Sequence, residues 1–395
     1  MSGILSSTYS AISLALSQHT EAIARLQEQA TTGARINRAS DDPTSAYRIL
    51  GLGSQEATLA NYMDNLDGIV STLELSSTII QDIVSYCTDV RVRVTQVAGG
   101  IYDEDTQKRI ADGIDDILEQ MVSLANTNHM NRYLFAGSGT TTAPYVVERT
   151  DGEITGVTYQ GSTEDLNVEV APGVEASAFY IGDNIFRSDS RDEPVFIGDT
   201  GAKAGTGTSS VSGFAWLTVT DEDGDGTFEL SIDGGLSTVV ADGSNNLAVT
   251  DSRTGRVLYV DTTEISNTGV ELIGVPGTHN IFDVLITIRD IFKNERGLSS
   301  GQIEQMRSNA LGALEEVTNL LVQTSVSMGS KIGFLDDLKQ SLQSLKYNTE
   351  DESAGLEQAD IAQLATDLSR REVLYQMSLS VAARLMSLSL LDFLE

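Results

Sequence analysis

The residues best suited to chemistry are the acidic side chains of the segment DEDGDGTFELSI, from Asp221 to Ile232. Asp221, Asp223 and Asp225 are spaced like the first oxygen ligands of a calcium-binding loop. Gly226 stands where such a loop turns sharply, but Ile232 occupies the position of the bidentate Glu that completes the site. Because the flanking sequence is typical of strands rather than helices, the pattern favours an acidic hairpin turn over a calcium site.

The other candidate catalytic groups do not form a recognisable constellation. The three histidines, His19, His129 and His279, are far apart, and none stands in an H-E-x-x-H arrangement. Cys87 is the single cysteine and falls on an apolar helical stripe, where a small core side chain is expected rather than a nucleophile. The sequence has no G-x-S-x-G elbow and no Walker-type phosphate loop, so it predicts no enzyme and no cofactor.

Length and charge restrict the class of protein and its partners. A chain of 395 residues with 40% hydrophobic side chains is long enough for several domains with apolar cores. Its formal net charge of -32 argues against nucleic acid as a partner, because such binding rests on Lys and Arg side chains that neutralise phosphates. An anionic membrane surface would repel it, and no apolar run reaches the ~18 residues of a membrane helix. No Lys or Arg precedes Arg25, so a secretory signal is not expected, and the residues alone predict a cytoplasmic location.

Proline placement divides the chain into helical and strand-forming parts. The five prolines are Pro43, Pro144, Pro172, Pro194 and Pro276. Segments 44–143 and 277–395 contain none, which fits long helices, because an interior proline loses a hydrogen bond and clashes with the preceding turn. Between them, short β-branched alternations predict strands in GVTYQG, LNVEVA, WLTVT, TFELSI and RVLYVD.

Apolar residues at alternating spacings of four and three mark coiled-coil-like seams in both helical parts. The first seam comprises Leu5, Tyr9, Ile12, Leu16, His19, Ile23, Leu26 and Ala30. A second seam runs from Leu59 to Val94, and a third predicted helix opens with DEDTQ. The carboxyl-terminal part has a seam from Leu314 to Leu345, whose centre Gly329 and Gly333 weaken by about 1 kcal/mol each relative to Ala.

The last predicted helix is apolar on more than one side. One stripe is formed by Leu374, Met377, Val381, Leu388 and Leu391, and another by Ile361, Leu364, Leu368, Tyr375, Ala382 and Leu385. A single partner helix cannot cover both stripes. This helix is therefore expected either in the core of the monomer or buried between subunits. The two helical parts either meet in space, with the β-rich region inserted between them, or form separate bundles.

The segment RINRASDDPTSAY lies between the first two predicted helices. Gly33 precedes it and can end the first helix as a left-handed cap. Asp42 has the side chain of an N-cap, and Pro43 follows at the first helical position, where its missing N–H costs nothing. The charged residues that can pair across the bend are Arg35 and Arg38 with Asp41 or Asp42. We interpret the segment as a shaped joint between two helices, although periodicity alone fits an ordinary loop as well.

Several motifs resemble the bacterial flagellin superfamily. TGARINRASDDPTSAYRI is similar to its amino-terminal signature, and ADIAQLATDLSRREVLYQMSLSVAARL extends the resemblance to the carboxyl-terminal part. NRYLFAGSGTTTAPY, YQGSTEDLNVEVAPGVEASAFYIGDNIF and SLSLLDFLE resemble the hook–filament junction branch of the superfamily rather than flagellin proper. Asp42-Pro43 also departs from flagellins, which commonly place small residues after the Asp pair. Residues from about 190 to 275 match no pattern of the superfamily.

The resemblance implies an α+β fold in which long antiparallel helical arms from both termini form coiled-coil and bundle domains, with a β-rich middle domain inserted between them. The expected domains are 1–42 with 358–395 as an inner terminal coiled coil, 43–140 with 279–357 as a helical bundle, and 141–278 as a β-rich, surface-exposed outer domain. The interdomain joint would then comprise Gly33, Arg35, Arg38, Asp41, Asp42 and Pro43.

The resemblance also implies a structural role, in which subunits polymerise as a ring-like layer that joins the hook of the flagellum to its filament. Expected partners are further copies of the chain, flagellin, the adjacent hook-associated protein, the flagellar export apparatus and an export chaperone. Export through the flagellar type III pathway, without a cleaved signal, would make the product extracellular and replaces the cytoplasmic expectation. The residues expected at the polymer interface are Leu5, Ile12, Leu16, Ile23, Leu26, Leu374, Val381, Leu388 and Leu391.

Two other functions remain open on the sequence. A flagellin that builds the filament itself would share both helical arms. A calcium-binding, adhesin-like middle domain on a flagellin-like scaffold would use Asp221, Asp223 and Asp225 as its ligands.

Overall fold

The chain forms two compact units. The computed structural model describes residues 2–96, 104–222 and 224–394, and the side chains of 10–96, 105–222 and 224–384. The first unit combines Met1–Asp64 with Leu338–Glu395, and the second is Asn65–Asp337. The two ends of the chain therefore belong to the same unit.

Seven helices and fourteen strands make up the described ranges. The helices are α1 (Ser2–Thr32), α2 (Pro43–Gln96), α3 (Glu104–Ala125), α4 (Gly182–Phe186), α5 (Ile281–Lys293), α6 (Ser300–Glu357) and α7 (Ile361–Leu394). The strands are β1 (Asn128–His129), β2 (Arg132–Tyr133), β3 (Tyr145–Thr150), β4 (Glu153–Tyr159), β5 (Asn167–Ala171), β6 (Val174–Ser177), β7 (Val195–Ile197), β8 (Lys203–Ala204), β9 (Gly213–Thr220), β10 (Glu229–Ser231), β11 (Val239–Val240), β12 (Leu247–Thr250), β13 (Val257–Asp261) and β14 (Gly269–Val275). None of these helices combines the length and the apolarity needed to cross a membrane.

Helix α2 buries the stripe that its heptad spacing predicts. Leu66, Leu73 and Ile80 are completely buried, and Cys87 and Val94 continue the same stripe with at most 1% exposure. Burial raises the pKa of the Cys87 thiol to about 12. The cysteine is therefore a small core side chain, as predicted. Its thiol stays neutral at physiological pH, and a neutral thiol is a poor nucleophile.

Helix α6 is continuous through Gly329 and Gly333. Its buried apolar residues within the second unit include Leu314, Val317, Leu321, Met328 and Leu335. Burying each large apolar side chain contributes about 1.5–3 kcal/mol, which outweighs the cost of about 1 kcal/mol for each glycine. Tertiary packing thus keeps the helix unbroken where its local propensity is weakest.

The β-rich region contains two sheets that share one apolar core. One sheet has the order β11-β10-β9-β14-β7 and the other β12-β13-β8, and every pairing in them is antiparallel. Leu217 and Val219 of β9, Leu230 of β10, and Val249 and Leu258 of the second sheet lie together in this core. The predicted strand at WLTVT is confirmed within β9, and those at TFELSI and RVLYVD are confirmed by the shorter strands β10 and β13, which lie inside the predicted segments.

Helix α5 lies in the proline-free segment for which helices were predicted, although no seam was assigned to it. It packs against α3, β4 and β9, and each of its residues is buried or half-buried, including Asp283, Thr287 and Asp290, which recur on one face. Its Arg289 is 2% exposed. The guanidinium contacts Asp115 at 2.6 Å and Asp290 at 2.9 Å, and it donates to the carbonyl of Ile154 at 2.7 Å. These partners satisfy the buried charge and link α5 to α3 and β4.

Glu316 of α6 connects that helix to the segment between β14 and α5. Its Oε2 accepts a hydrogen bond from the Gly277 N–H at 3.2 Å and lies 2.9 Å from Nδ1 of His279. Burial raises the pKa of Glu316, but hydrogen bonds from His279, Ser188 and Gly277 outweigh burial and lower this pKa from 4.5 to about 2. The ionised carboxylate is therefore the form that the folded protein stabilises.

We predict that Glu316→Gln lowers the free energy of unfolding by about 1–3 kcal/mol at pH 7, because it removes a charged acceptor from buried donors. The native pKa is depressed, so the stabilisation is present above about pH 4.5 and disappears as the pH falls toward about 2. Denaturant unfolding from pH 7 to pH 3 should show the two proteins converging.

The matched control is Glu315→Gln, which removes the same charge from an exposed neighbour that pairs with Arg91. Its effect should stay within about 1 kcal/mol. Equal losses for both variants at pH 7, or a difference that does not change with pH, would contradict the assignment.

Candidate functional site

The joint between α1 and α2 is built from caps at both helix ends. Gly33 has a φ of +71°, and its N–H donates to the carbonyl of Gln29 at 2.9 Å, which ends α1 in a left-handed cap. Asp42 precedes Pro43, and its Oδ1 accepts from the Ser45 N–H at 3.1 Å. Its Oδ2 accepts from the Ser45 hydroxyl at 2.7 Å. These hydrogen bonds lower the pKa of Asp42, so the cap is ionised at neutral pH.

Arg35 ties this joint to the end of α6 and the start of α7. Its N–H donates to the carbonyl of Glu357 at 2.6 Å, and its guanidinium donates to the carbonyl of Leu356 at 3.1 Å. The N–H of Ala359 donates to the carbonyl of Gly33 at 3.0 Å. The guanidinium also pairs with Asp42 at 3.3 Å, as the sequence suggested. The joint therefore involves two turns, one from each half of the chain.

Arg38 and Asp41 do not pair with each other through their side chains. Asp41 Oδ2 accepts from the N–H groups of Asn37 at 3.2 Å and Arg38 at 2.9 Å. The Arg38 guanidinium instead pairs with Glu28 of α1 at 3.3 Å. Because the backbone of the bend already uses the Asp41 oxygen, the expected pairing of Arg38 with Asp41 or Asp42 is wrong.

Helices α1 and α7 pack along each other in antiparallel sense. The predicted interface residues on α1 whose side chains are described, Ile12, Leu16, Ile23 and Leu26, are all half-buried. The side chain of Leu5 lies outside the described residues. The seam of α1 is thus largely occupied within the chain itself.

Helix α7 separates its two apolar stripes. Leu364 is 7% exposed, and Leu368, Tyr375 and Ala382 of the same stripe are half-buried. On the other stripe, the side chains of Leu374, Met377 and Val381 are 37%, 61% and 51% exposed. Val373 and Leu379 beside them are also exposed, while the side chains of Leu388 and Leu391 lie outside the described residues. Ile361, the first residue of the former stripe, is 56% exposed, so that stripe is covered within the chain only from Leu364 to Ala382 and only in part. The described residues of the other stripe form an open apolar surface.

The acidic segment after β9 forms a hairpin turn, as predicted. Strands β9 and β10 are antiparallel, with Thr220 opposite Glu229. Within the turn, Asp221 accepts from the Gly226 N–H at 3.2 Å, and Asp225 accepts from the Thr227 N–H at 2.8 Å. Asp223 lies outside the described residues, and the described remainder of the chain contains no cluster of three or more acidic, His or Cys side chains suited to a metal ion.

The amino-terminal third of the chain is similar to a known protein region. Residues 6–140 match the bacterial flagellin N-terminal helical region. Flagellar hook-associated protein 3 of Escherichia coli is 27% identical over 162 residues, which cover 41% of this chain and 49% of that protein. The protein of the same name from Salmonella typhimurium is 25% identical over 165 residues, or 42% of this chain and 50% of that protein. The chain spans about half the length of these curated relatives.

Solved structures share the fold. FlgL of Xanthomonas campestris superposes with a TM-score of 0.52 at 19% identity, covering 76% of this chain and 98% of that one. Flagellar hook-associated protein 3 of Legionella pneumophila gives 0.51 at 16% identity, covering 82% and 99%. The predicted α+β fold, with helical arms around a β-rich middle, is confirmed. The chain resembles the flagellin superfamily and, within it, hook-associated protein 3.

We predict that Gly33→Ala lowers the free energy of opening the joint between α1 and α2 by about 1–2 kcal/mol. An alanine side chain at this positive φ is strained, even though the surrounding space is open. Gly51→Ala is the matched control, since Gly51 lies inside α2 and also has open surroundings. There the same change should stabilise by about 0.5–1 kcal/mol.

Hydrogen exchange at the Arg35 and Ala359 amides measures both effects. Exchange should accelerate in Gly33→Ala and slow or stay unchanged in Gly51→Ala. Unchanged exchange in Gly33→Ala would show that the left-handed cap does not hold the two turns together.

Proposed function

We propose that this chain, which resembles hook-associated protein 3 of the flagellin superfamily, is a structural component of the bacterial flagellum that polymerises as the layer between hook and filament. The observation that carries this proposal is the open apolar stripe of α7, defined by Leu374, Met377 and Val381. A stripe of this kind on a helix already paired with α1 needs a further partner. The relatives named hook-associated protein 3 support the position at the hook.

A second copy of the chain is the partner that we infer for this stripe. Fully burying a Leu, Met or Val side chain contributes about 1.5–3 kcal/mol, so three such residues repeated in every subunit favour a polymer. The expected α1 interface residues whose side chains are described, Ile12, Leu16, Ile23 and Leu26, are half-buried on the helix that packs against α7, and they would contribute their remaining exposed surface. We therefore keep Leu5, Ile12, Leu16, Ile23, Leu26, Leu374, Val381, Leu388 and Leu391 as the proposed polymer interface.

The domain boundaries and the role of the joint are part of the same proposal. We assign 1–42 with 358–395 to an inner coiled coil, 43–140 with 279–357 to a helical bundle, and 141–278 to an outer β-rich domain. The cap at Gly33, the N-cap at Asp42 and the contacts of Arg35 with the 356–359 turn support a boundary there. Their role would be to fix the angle between the inner and the next domain.

The remaining partners follow from the proposed position. The layer would contact the adjacent hook-associated protein on one side and flagellin on the other. Subunits would reach it through the flagellar export apparatus, escorted by an export chaperone, and would act outside the cell. The curated relatives support a location in the flagellum.

We predict that Met377→Asp leaves the monomer folded but abolishes its assembly into flagella. Met377 is 61% exposed, so the monomer tolerates the carboxylate, whereas burial in a subunit interface would impose a desolvation cost of several kcal/mol. Gln376→Asp adds the same kind of charge at an exposed polar position on the same helix and should still assemble.

Circular dichroism of the purified proteins reports folding, and electron microscopy of cells that carry each variant reports assembly. Normal filaments on cells with Met377→Asp would contradict the proposed interface. Failure of both variants would show that α7 tolerates no added charge, whatever the position.

Deletion of the gene separates a junction protein from a flagellin that builds the filament. Loss of a junction protein leaves hooks intact while unpolymerised flagellin accumulates in the medium. Loss of the major flagellin instead leaves little flagellin to be released. Electron microscopy of hooks and immunoblots of the medium measure the two outcomes, with the complemented strain as control. Normal filaments on the deletion strain would end the junction assignment.

A further inference from the structure

A pocket of about 380 Å³ opens beside strand β9 in the β-rich region. Its walls are the outward face of β9, the loops between β10 and β11 and between β12 and β13, and the segment after α5. This volume lies in the range of about 300–1,000 Å³ that is typical of small-molecule sites. The pocket belongs entirely to the second compact unit.

Three arginines, Arg253, Arg256 and Arg296, line this pocket. The whole chain has only 25 Lys and Arg residues against 57 Asp and Glu residues. Such a concentration of guanidinium groups is therefore not a consequence of composition. A cationic site in a strongly acidic protein points to a specific anionic group.

Arg253 offers an uncommitted guanidinium. The side chain is exposed, and it makes no hydrogen bond or ion pair to any residue in the described part of the chain, although its backbone N–H donates to Asp251 at 2.8 Å. Arg256 is held in position because its Nη1 donates to the Ser212 hydroxyl at 2.7 Å. A planar guanidinium matches a carboxylate through two parallel hydrogen bonds.

Arg296 is only weakly neutralised. Its guanidinium lies 4.1 Å from the centroid of the Trp216 ring. Its acidic neighbour Asp290 is 3.9 Å away and already pairs with Arg289 at 2.9 Å. Partial burial lowers the pKa of Arg296, but an arginine remains charged under any native condition. The pocket thus keeps a partly desolvated positive charge that a bound anion would stabilise.

The two carboxylates in the pocket wall are engaged by the protein itself. Asp233 Oδ2 accepts from the Ser252 hydroxyl at 2.6 Å, and Oδ1 accepts from the Ser237 N–H at 2.9 Å. The hydrogen bond from Ser252 contributes most to lowering the pKa of Asp233 well below its ordinary value. Asp251 Oδ2 accepts from the Thr254 hydroxyl at 2.7 Å. These carboxylate oxygens accept hydrogen bonds from residues of the loops between β10 and β11 and between β12 and β13, and none of these bonds joins them to the three arginines.

The pocket also has an aromatic wall. Phe214 and Trp216 are two residues apart on β9 and point to the same face of the strand, while Leu217 and Val219 point into the core. Both aromatic side chains are half-buried, and Ser212 and Thr218 line the same pocket. Arg296 packs over the Trp216 ring, and Phe214 packs against the ring of His279 at 4.7 Å between centroids. An apolar wall beside Ser and Thr residues suits a ring that is apolar on its C–H face and polar at its edge.

We propose that this pocket binds an acidic sugar, a pyranose that carries a carboxylate. The Arg253 guanidinium receives the carboxylate, the apolar parts of the Phe214 and Trp216 wall that Arg296 and His279 leave uncovered contact the C–H face of the ring, and the Ser212 and Thr218 hydroxyl groups bond the sugar hydroxyls. The Arg256 and Arg296 guanidinium groups add positive charge around the carboxylate. This binding site is independent of the proposed polymer interface, because its residues lie in the other compact unit.

The chain carries its own probe for this pocket, because Trp216 is its single tryptophan. Tryptophan fluorescence of the full-length monomer therefore reports on this wall. Titration with digalacturonate should give a saturable change in emission, whereas the neutral disaccharide galactobiose should give none over the same concentrations. An absent response to digalacturonate in both fluorescence and calorimetry would overturn the proposal, as would equal affinity for the neutral sugar.

Variants separate a pocket from a general charge effect. Arg253→Gln should weaken digalacturonate binding about tenfold or more, because it removes a charge-assisted bidentate contact. Lys203→Gln is the matched control, since it removes one exposed positive charge elsewhere in the β-rich region, where Lys203 pairs with Glu264. It should leave the affinity unchanged. Equal weakening in both variants would overturn the assignment of Arg253.

Simple anions test the sugar itself. Acetate and sulfate carry the charge without the ring, so they should bind far more weakly than digalacturonate. Equal saturation by acetate or sulfate would overturn the assignment of a sugar. Because the assay uses the monomer, its outcome does not depend on whether the chain polymerises in the flagellum.

Discussion

The pairing of the two chain ends is the constraint on which the rest of the structure depends. Arg35 reaches the carbonyl of Leu356 across 321 positions of sequence, and the turn at Gly33 bonds to Ala359. The entropic cost of closing a loop grows only logarithmically with its length. Once the ends are joined, a large β-rich insertion therefore adds little to that cost. The same turns end α1 and precede the start of α7, so they determine which residues of these two helices meet.

The net charge of the chain opposes association between its copies, whereas its exposed apolar surface favours it. A net charge of -32 makes copies of the chain repel one another, and salt screens this repulsion beyond about 8–10 Å. An interface that overcomes it must rest on apolar burial, and the exposed stripe with Leu374, Met377 and Val381 provides that surface. The same charge that keeps a monomer soluble thus limits assembly to surfaces that match closely.

The β-rich region contains an acidic segment that is continuous in sequence and a group of arginines that meet only in space. Its conspicuous acidic segment is a hairpin turn in which Asp221 and Asp225 bond to nearby N–H groups. Its less conspicuous arginines converge on one pocket, although Arg253 and Arg296 lie on different loops. Clusters in sequence and clusters in space therefore point to different sites in this region, and the spatial cluster contains the exposed Arg253 guanidinium.

The sequence by itself determined what depends on neighbouring residues. The heptad stripe through Leu66, Leu73 and Ile80, the left-handed cap at Gly33 and the hairpin after β9 all follow from local spacing and backbone preference. Tertiary structure alone decided the partner of Arg38, the burial of Arg289 on helix α5 and the pocket beside Trp216. Each of these depends on residues that are distant in sequence, and sheet register or helix packing, which no local pattern encodes, brings them together.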